Sequence, residues 1–230
     1  MAIMPMFPLG SVLLPGHVLP LHVFEPRYLH MVADCLHEHD REFGVVLIER
    51  GSEVGGGDRR SAHGTVARMV QIGELDEGRL LVVCVGTRRI RVNAWLPDDP
   101  YPLADVDDWP DSWSDDDRSP ATLAELQSRI DKVAARVRRA HALAVELGDR
   151  SAGATLELAD DLLEASYQLA AMLPVGPVDQ HRLLAATGPH DRITLIGDLL
   201  DDVEALQRFR LVDADGSLGG GPGDRDDDPR

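Results

Sequence analysis

The chain has 230 residues and a mass of 25.1 kDa, enough for one large domain or two small ones. With 43% apolar residues but only 4% aromatics, it can bury a core built of Leu, Val, Ile and Ala. The formal net charge is −17, which repels phosphates, so no nucleic-acid partner is expected. Most of that charge is localised: residues 98–117 contribute −9 and residues 213–230 contribute −4. No apolar run reaches the roughly 18–20 residues that a membrane span needs, so no membrane partner is expected either. Met1 to Pro8 lack a basic region followed by an apolar one, so they do not read as a secretion signal. Cys35 and Cys84 both lie in apolar surroundings and read as buried thiols of a cytoplasmic protein.

The front half reads as short strands with one helix among them. Val18, Leu19, Leu21, Val23 and Phe24 form an apolar segment broken by Pro20. Pro26 suits a first helical position, and Tyr28, Leu29, Val32, Cys35 and Leu36 follow at helical spacing. Phe43 to Ile48 is an apolar run of strand length. From Thr65 to Ile72, alternation sets Val66, Arg68, Val70 and Ile72 on one face and Thr65, Ala67, Met69 and Gln71 on the other. Asp76-Glu77-Gly78 reads as a hairpin loop before Leu80 to Val85. Thr87 to Leu96 alternates with Ile90, Val92 and Ala94 on one face, which sets Arg89 and Arg91 on the outward one. Short, β-branched, turn-bounded runs of this kind predict an antiparallel barrel or sandwich.

Five prolines and nine aspartates between Pro97 and Pro120 read as a connector around a short strand near Leu103–Val106. Beyond it the spacing is helical. Ser119-Pro120 offers a cap and a first helical position, followed by Leu123, Leu126, Ile130, Val133 and Val137, with a stop at Gly148. A second helix is expected from about Thr155 to Leu173, a third over Val178 to Ala186, and a fourth from Pro189 that buries Ile193, Ile196, Leu199, Leu200, Val203 and Leu206. From Asp213 onward Gly, Asp and Pro dominate, and disorder is expected.

The residues that could carry chemistry do not add up to a catalytic set. Gly55-Gly56-Gly57 lacks the lysine and following helix of a phosphate loop and reads as a hairpin tip. His30, His37 and His39 form no metal-ligand pattern, and His17 and His22 flank strand-like sequence. Lys132 is the only lysine, lies beside Asp131 in helical sequence, and is the one candidate for a Ser-Lys pair. Arg88, Arg89 and Arg91 lack an aromatic stacking platform and read as a solvated face. Glu25 and Arg27 read as a structural pair at a helix start. No catalytic residue, cofactor or metal is therefore expected, and the chain is not expected to be an enzyme.

Three blocks are specific: Met6-Phe7-Pro8-Leu9-Gly10, Val12-Leu13-Leu14-Pro15-Gly16, and Leu19-Pro20-Leu21-His22-Val23-Phe24-Glu25-Pro26-Arg27-Tyr28. They resemble the opening of the Lon-protease N-terminal, substrate-binding domain family. Phe43 to Ile48, Gly64 to Ala67, Asp76 to Arg79, Gly86 to Val92 and Pro100-Tyr101-Pro102 resemble that family in the same order, as do Leu173-Pro174 and Arg192-Ile193 through Leu200. The resemblance covers residues 4–210 and implies an α+β fold: an N-terminal PUA-like β pseudo-barrel with one helix, followed by a C-terminal helical bundle. The expected division is a β-rich domain at 1–108, an acidic, proline-rich connector at 109–120, a helical bundle at 121–212 and a disordered acidic tail at 213–230. The resemblance is confined to the binding region, with no ATPase or peptidase module, so a free-standing, non-catalytic module is expected. It implies a proteolysis-related protein that holds unfolded polypeptide or a specific protein partner. The alternative is a small-molecule-sensing regulatory module. Trp95, Trp109 and Trp113 cluster near the connector without forming a cage for such a ligand. RNA binding, suggested by PUA folds alone, is disfavoured by the charge.

Overall fold

The computed structural model describes residues 2–50, 59–113, 116–148 and 157–218. The front half contains β1 (Ala2–Leu9), β2 (Val18–Val23), α1 (Pro26–Glu38), β3 (Glu42–Arg50), β4 (Arg59–Glu74), β5 (Leu80–Trp95) and β6 (Leu103–Asp108). These six strands form one sheet in the order β2-β5-β4-β3-β1-β6. Because β5 also pairs with β6, five of the strands return on themselves and β2 remains at an edge. All pairings are antiparallel except β1 with β3.

Pro20 has a positional reason. Gly86 N–H donates to His17 O, so by alternation the backbone of Leu19, Leu21 and Val23 faces β5 and that of Pro20 faces outward. A proline, lacking the N–H, blunts an edge that would otherwise invite another strand. Pro26 begins α1, which buries Tyr28, Met31, Val32 and Cys35 on the sheet while Leu36 stays exposed. The Asp76–Gly78 turn joins β4 to β5, with Gly78 at φ 71°.

Strict alternation along β4 does not hold. Register shifts lie between Thr65 and Ala67 and between Met69 and Gln71. Val66 and Ala67 are both buried, Met69 points inward, and Val70 is left exposed. Each irregularity breaks the two-residue period that the sequence pattern assumes.

The back half is α2 (Pro120–Glu146), α3 (Leu162–Met172), α4 (Pro177–Leu184) and α5 (Pro189–Leu218). Ser119 Oγ caps α2 by accepting the Thr122 N–H. The second helix starts later than Thr155: residues 157–161 are not helical, and Asp161 accepts the Glu164 N–H at 2.9 Å as an extended N-cap. It stops before Pro174, which drives Leu173 to an extended conformation. α5 continues past Val212 to Leu218, into sequence expected to be disordered, and residues 219–230 lie outside the described residues.

The two halves share a seam. In the loop after β1, Leu13 packs into the core between sheet and α1, while its neighbour Leu14 packs into the helical core with Leu126, Ile130 and Leu169. Thr65 Oγ1 fixes that loop by donating to Leu13 O at 2.6 Å. A third cluster, with Met6, Val46, Val66 and Ile90, lies on the opposite side of the strands.

Candidate functional site

The seam is fastened by a buried polar network that no local sequence signal announces. Asp111 accepts from Arg192 at 2.6 Å and from the Tyr167 hydroxyl at 2.6 Å, and it lies 3.3 Å from Arg89 as an ion pair without hydrogen-bond alignment. Arg89 also donates to Leu184 O at 2.7 Å and Ala186 O at 2.6 Å, and Arg192 donates to Leu183 O and Ser166 Oγ. Two cations thus meet the carbonyl-rich C-terminus of α4, where the helix dipole favours positive charge. The Arg192 guanidinium lies 3.7 Å from the centre of the Tyr167 ring and is fully buried. Burial pulls the Arg89 pKa down, with Tyr167 and Asp111 opposing and Arg192 adding to the fall. Burial also pushes the Tyr167 hydroxyl up.

Arg89 is therefore not part of a solvated face. Alternation does place it opposite Ile90, but the helical half covers that side of β5, so both residues are buried. Its neighbours are neutralised within the chain: Arg88 binds Glu42 at 2.7 Å and Asp108 at 2.9 Å, and Arg91 lies 3.9 Å from Asp107. The expected connector takes part as well. Asp111 belongs to the network, Trp109 N–H donates to Arg89 O, and Ser112 N–H donates to Thr187 O.

The structure scatters the other sequence candidates. Glu25 and Arg27 pair at 3.0 Å beside the start of α1. Lys132 is exposed on α2, next to the Asp131 carboxylate that accepts from Gln127. Cys35 and Cys84 are fully buried, and burial pushes both thiols up to about 12, where they are inert. His37 contacts Ala33 O, and among the described residues no three metal-capable side chains converge. The glycines 55–57 lie outside the described residues. Each tryptophan has an arginine over its ring: Arg60 on Trp95, Arg89 on Trp109 and Arg118 on Trp113.

Two of the concave sites include apolar side chains of the β half in their lining. A pocket of about 170 Å³ lies between β1 and the edge strand β2, with Phe7, Leu21, Val23 and Tyr28 below and exposed Phe24 at its rim. Phe7 and Tyr28 stack there at 4.1 Å. A more open groove of about 290 Å³ lies where the halves meet, between Pro15, Gly16, Gly86 and Thr87 on one side and Leu163, Glu164 and Tyr167 of α3 on the other. Gly86 must be glycine for this seam to close: a Cβ would sit 2.4 Å from Leu14 O. The groove's floor is thus held by the Leu14 loop and by a tyrosine locked to Asp111.

Residues 3–202 match the family of the ATP-dependent protease La (LON) substrate-binding domain. The chain belongs to the LON substrate-binding domain family. It is similar to the crystal structure of a Lon N-terminal domain protein from Xanthomonas campestris, at 28% identity and a TM-score of 0.58, covering 84% of this chain and 96% of that one. The N-terminal domain of a Mycobacterium avium complex Lon protease has the same fold, at 18% identity and a TM-score of 0.57. Lon protease 2 of Myxococcus xanthus is 28% identical over 86% of this chain, and a LON peptidase N-terminal domain and RING finger protein of Schizosaccharomyces pombe is 26% identical over 84%. The chain spans only 23% and 44%, respectively, of those two proteins' lengths. The LON-domain match ends at residue 202, before Leu206, Phe209 and Val212 of α5; all three are exposed, Leu206 against the burial expected from helical spacing. Among the described residues no helix is long and apolar enough to cross a membrane.

Proposed function

We propose that this chain is a non-catalytic protein-binding module that holds polypeptide, and that the groove between the halves is its seat. The observation that carries this reading is an open apolar groove with a rigid floor in a chain of the LON substrate-binding domain family. Junctions between packed units favour concave sites. At about 290 Å³ the groove has room for a large side chain. We read the closed circuit of five strands as a PUA-like pseudo-barrel and α2 to α5 as the accompanying helical bundle. The engagement of Arg88, Arg89 and Arg91 with carboxylates inside the chain speaks against a nucleic-acid role.

Binding of an unfolded segment must offset the cost of ordering it, so Kd is expected in the micromolar range or weaker, about −8 kcal/mol or less favourable. Fluorescence anisotropy of labelled, reduced and unfolded proteins, titrated without ATP and with folded versions as controls, tests the reading. Selective binding of the unfolded forms is expected. Equal binding of both forms, or none at high protein concentration, contradicts it.

A further inference from the structure

We infer that the groove between the halves selects an apolar side chain flanked by lysine or arginine. This rests on the protein-binding reading and adds the chemistry of what is held. The groove's walls are Pro15, the glycine backbone at 16 and 86, Leu163 and the Tyr167 ring, whose hydroxyl is turned away into the Asp111 network. The space between them takes an aliphatic or aromatic group and offers it no buried charge. The rim is different. Asp161 and Glu164 stand at the first turn of α3, both exposed, and among the described residues neither pairs with a cation. Asp161 is held still by capping the Glu164 N–H, whereas the Glu164 carboxylate is free to meet a passing cation. Arg88 and Arg91 of the β half already meet Glu42, Asp108 and Asp107, and among the described residues no cation of this chain is paired at that rim. An extended segment laid across the groove therefore seats its apolar residue below two carboxylates. A neighbouring lysine or arginine is drawn to them and an acidic neighbour repelled.

The test uses the full chain and labelled 12-residue peptides rich in Gly and Ser, each with one central Phe flanked by Lys, Ser or Glu. Anisotropy at low salt should rank them Lys, Ser, Glu, with the Lys peptide about three- to tenfold tighter than the Glu peptide, as partly solvated charge pairs supply. Glu164→Lys, which sets a lysine against Asp161 and cancels the rim charge, should level the order. Thr87→Tyr, which puts bulk on the groove wall from an exposed strand position, should weaken all three peptides while circular dichroism stays native. In about 1 M salt the ranking should collapse while binding through Phe persists, because screening acts within about 3 Å. Binding without a charge preference, or a preference that follows Phe24→Ala in the β1–β2 pocket and not Glu164→Lys, overturns this inference alone. Failure of all three peptides and of unfolded proteins to bind overturns the protein-binding reading, and this inference with it.

Discussion

Replacing Arg192 by methionine tests whether the buried network holds the halves together. The side chain is fully buried, donates to Leu183 O at 3.0 Å, Ser166 Oγ at 2.9 Å and Asp111 Oδ1 at 2.6 Å, and stacks on Tyr167. Methionine keeps most of the volume, so the loss is mainly electrostatic. Breaking a buried pair by removing one partner costs about 3–5 kcal/mol, because the remaining charge stays out of water. Here the remaining carboxylate keeps the Tyr167 hydroxyl and Arg89, and Arg89 is relieved of a like charge, which places the cost near about 3 kcal/mol. In a chain of this size that corresponds to a fall in Tm of about 6–12 °C. Thermal unfolding followed by circular dichroism and by tryptophan fluorescence reads it. Adding Asp111→Asn to Arg192→Met should recover about 1 kcal/mol or more relative to the sum of the single losses. A Tm change below about 3 °C, or strictly additive losses, would refute the argument that these charges depend on one another.

Other expectations follow from the same seam. Leu14→Ala should cost about 2–5 kcal/mol in urea unfolding, since Leu14 is buried in the helical core; a loss under about 1 kcal/mol would contradict its place there. Gly86→Ala should destabilise by more than about 1 kcal/mol, because its Cβ meets the Leu14 carbonyl, whereas Gly73→Ala, with nothing within 4 Å, should cost much less. Burial pulls His17 and His63 below the ordinary value of 6.5, with His181, Arg89 and Arg91 lowering His63 further. The unfolded chain then binds more protons than the folded one, so stability present above about pH 6.5 is lost as the pH falls toward the folded-state values. His17→Gln with His63→Gln should flatten the drop in urea midpoint between pH 7.5 and 5.5, and an unchanged drop would contradict it. Native protein should leave Cys35 and Cys84 unmodified by a thiol reagent at pH 8, with both reacting after unfolding.

Features set by neighbours in the chain were legible in the sequence. Pro26 opening α1, Ser119 capping α2, Gly78 in the β4–β5 turn and the burial of both cysteines follow from short-range pattern. The family was legible because the blocks around Phe7, Leu14 and Pro20 resemble its opening in the same order. The network was not. Arg89 and Asp111 look solvated beside their own neighbours, and only the arrival of α4 and α5 from far along the chain buries them. Composition showed prolines and aspartates around Asp111 but not their contacts: Trp109 is hydrogen-bonded to the β half and Ser112 to the helical half. In β4, two register shifts defeated an otherwise good alternating pattern and exposed Val70 while burying Met69. The groove had no sequence signal of its own, since its walls come from three separate stretches of chain, at residues 15–16, 86–87 and 161–167.

The most direct test of the account is to map where an unfolded polypeptide lies on this chain. A reduced, unfolded model protein carrying benzophenone groups would be photocrosslinked to the full chain and the adducts sequenced by mass spectrometry. Adducts are expected on the segments holding Pro15–Gly16, Thr87 and Leu163–Tyr167, and should be lost when Thr87→Tyr obstructs the groove. Adducts concentrated on Phe24 and His22 of the β1–β2 pocket, or on Leu206, Phe209 and Val212 of α5, with the groove unlabelled, would contradict it.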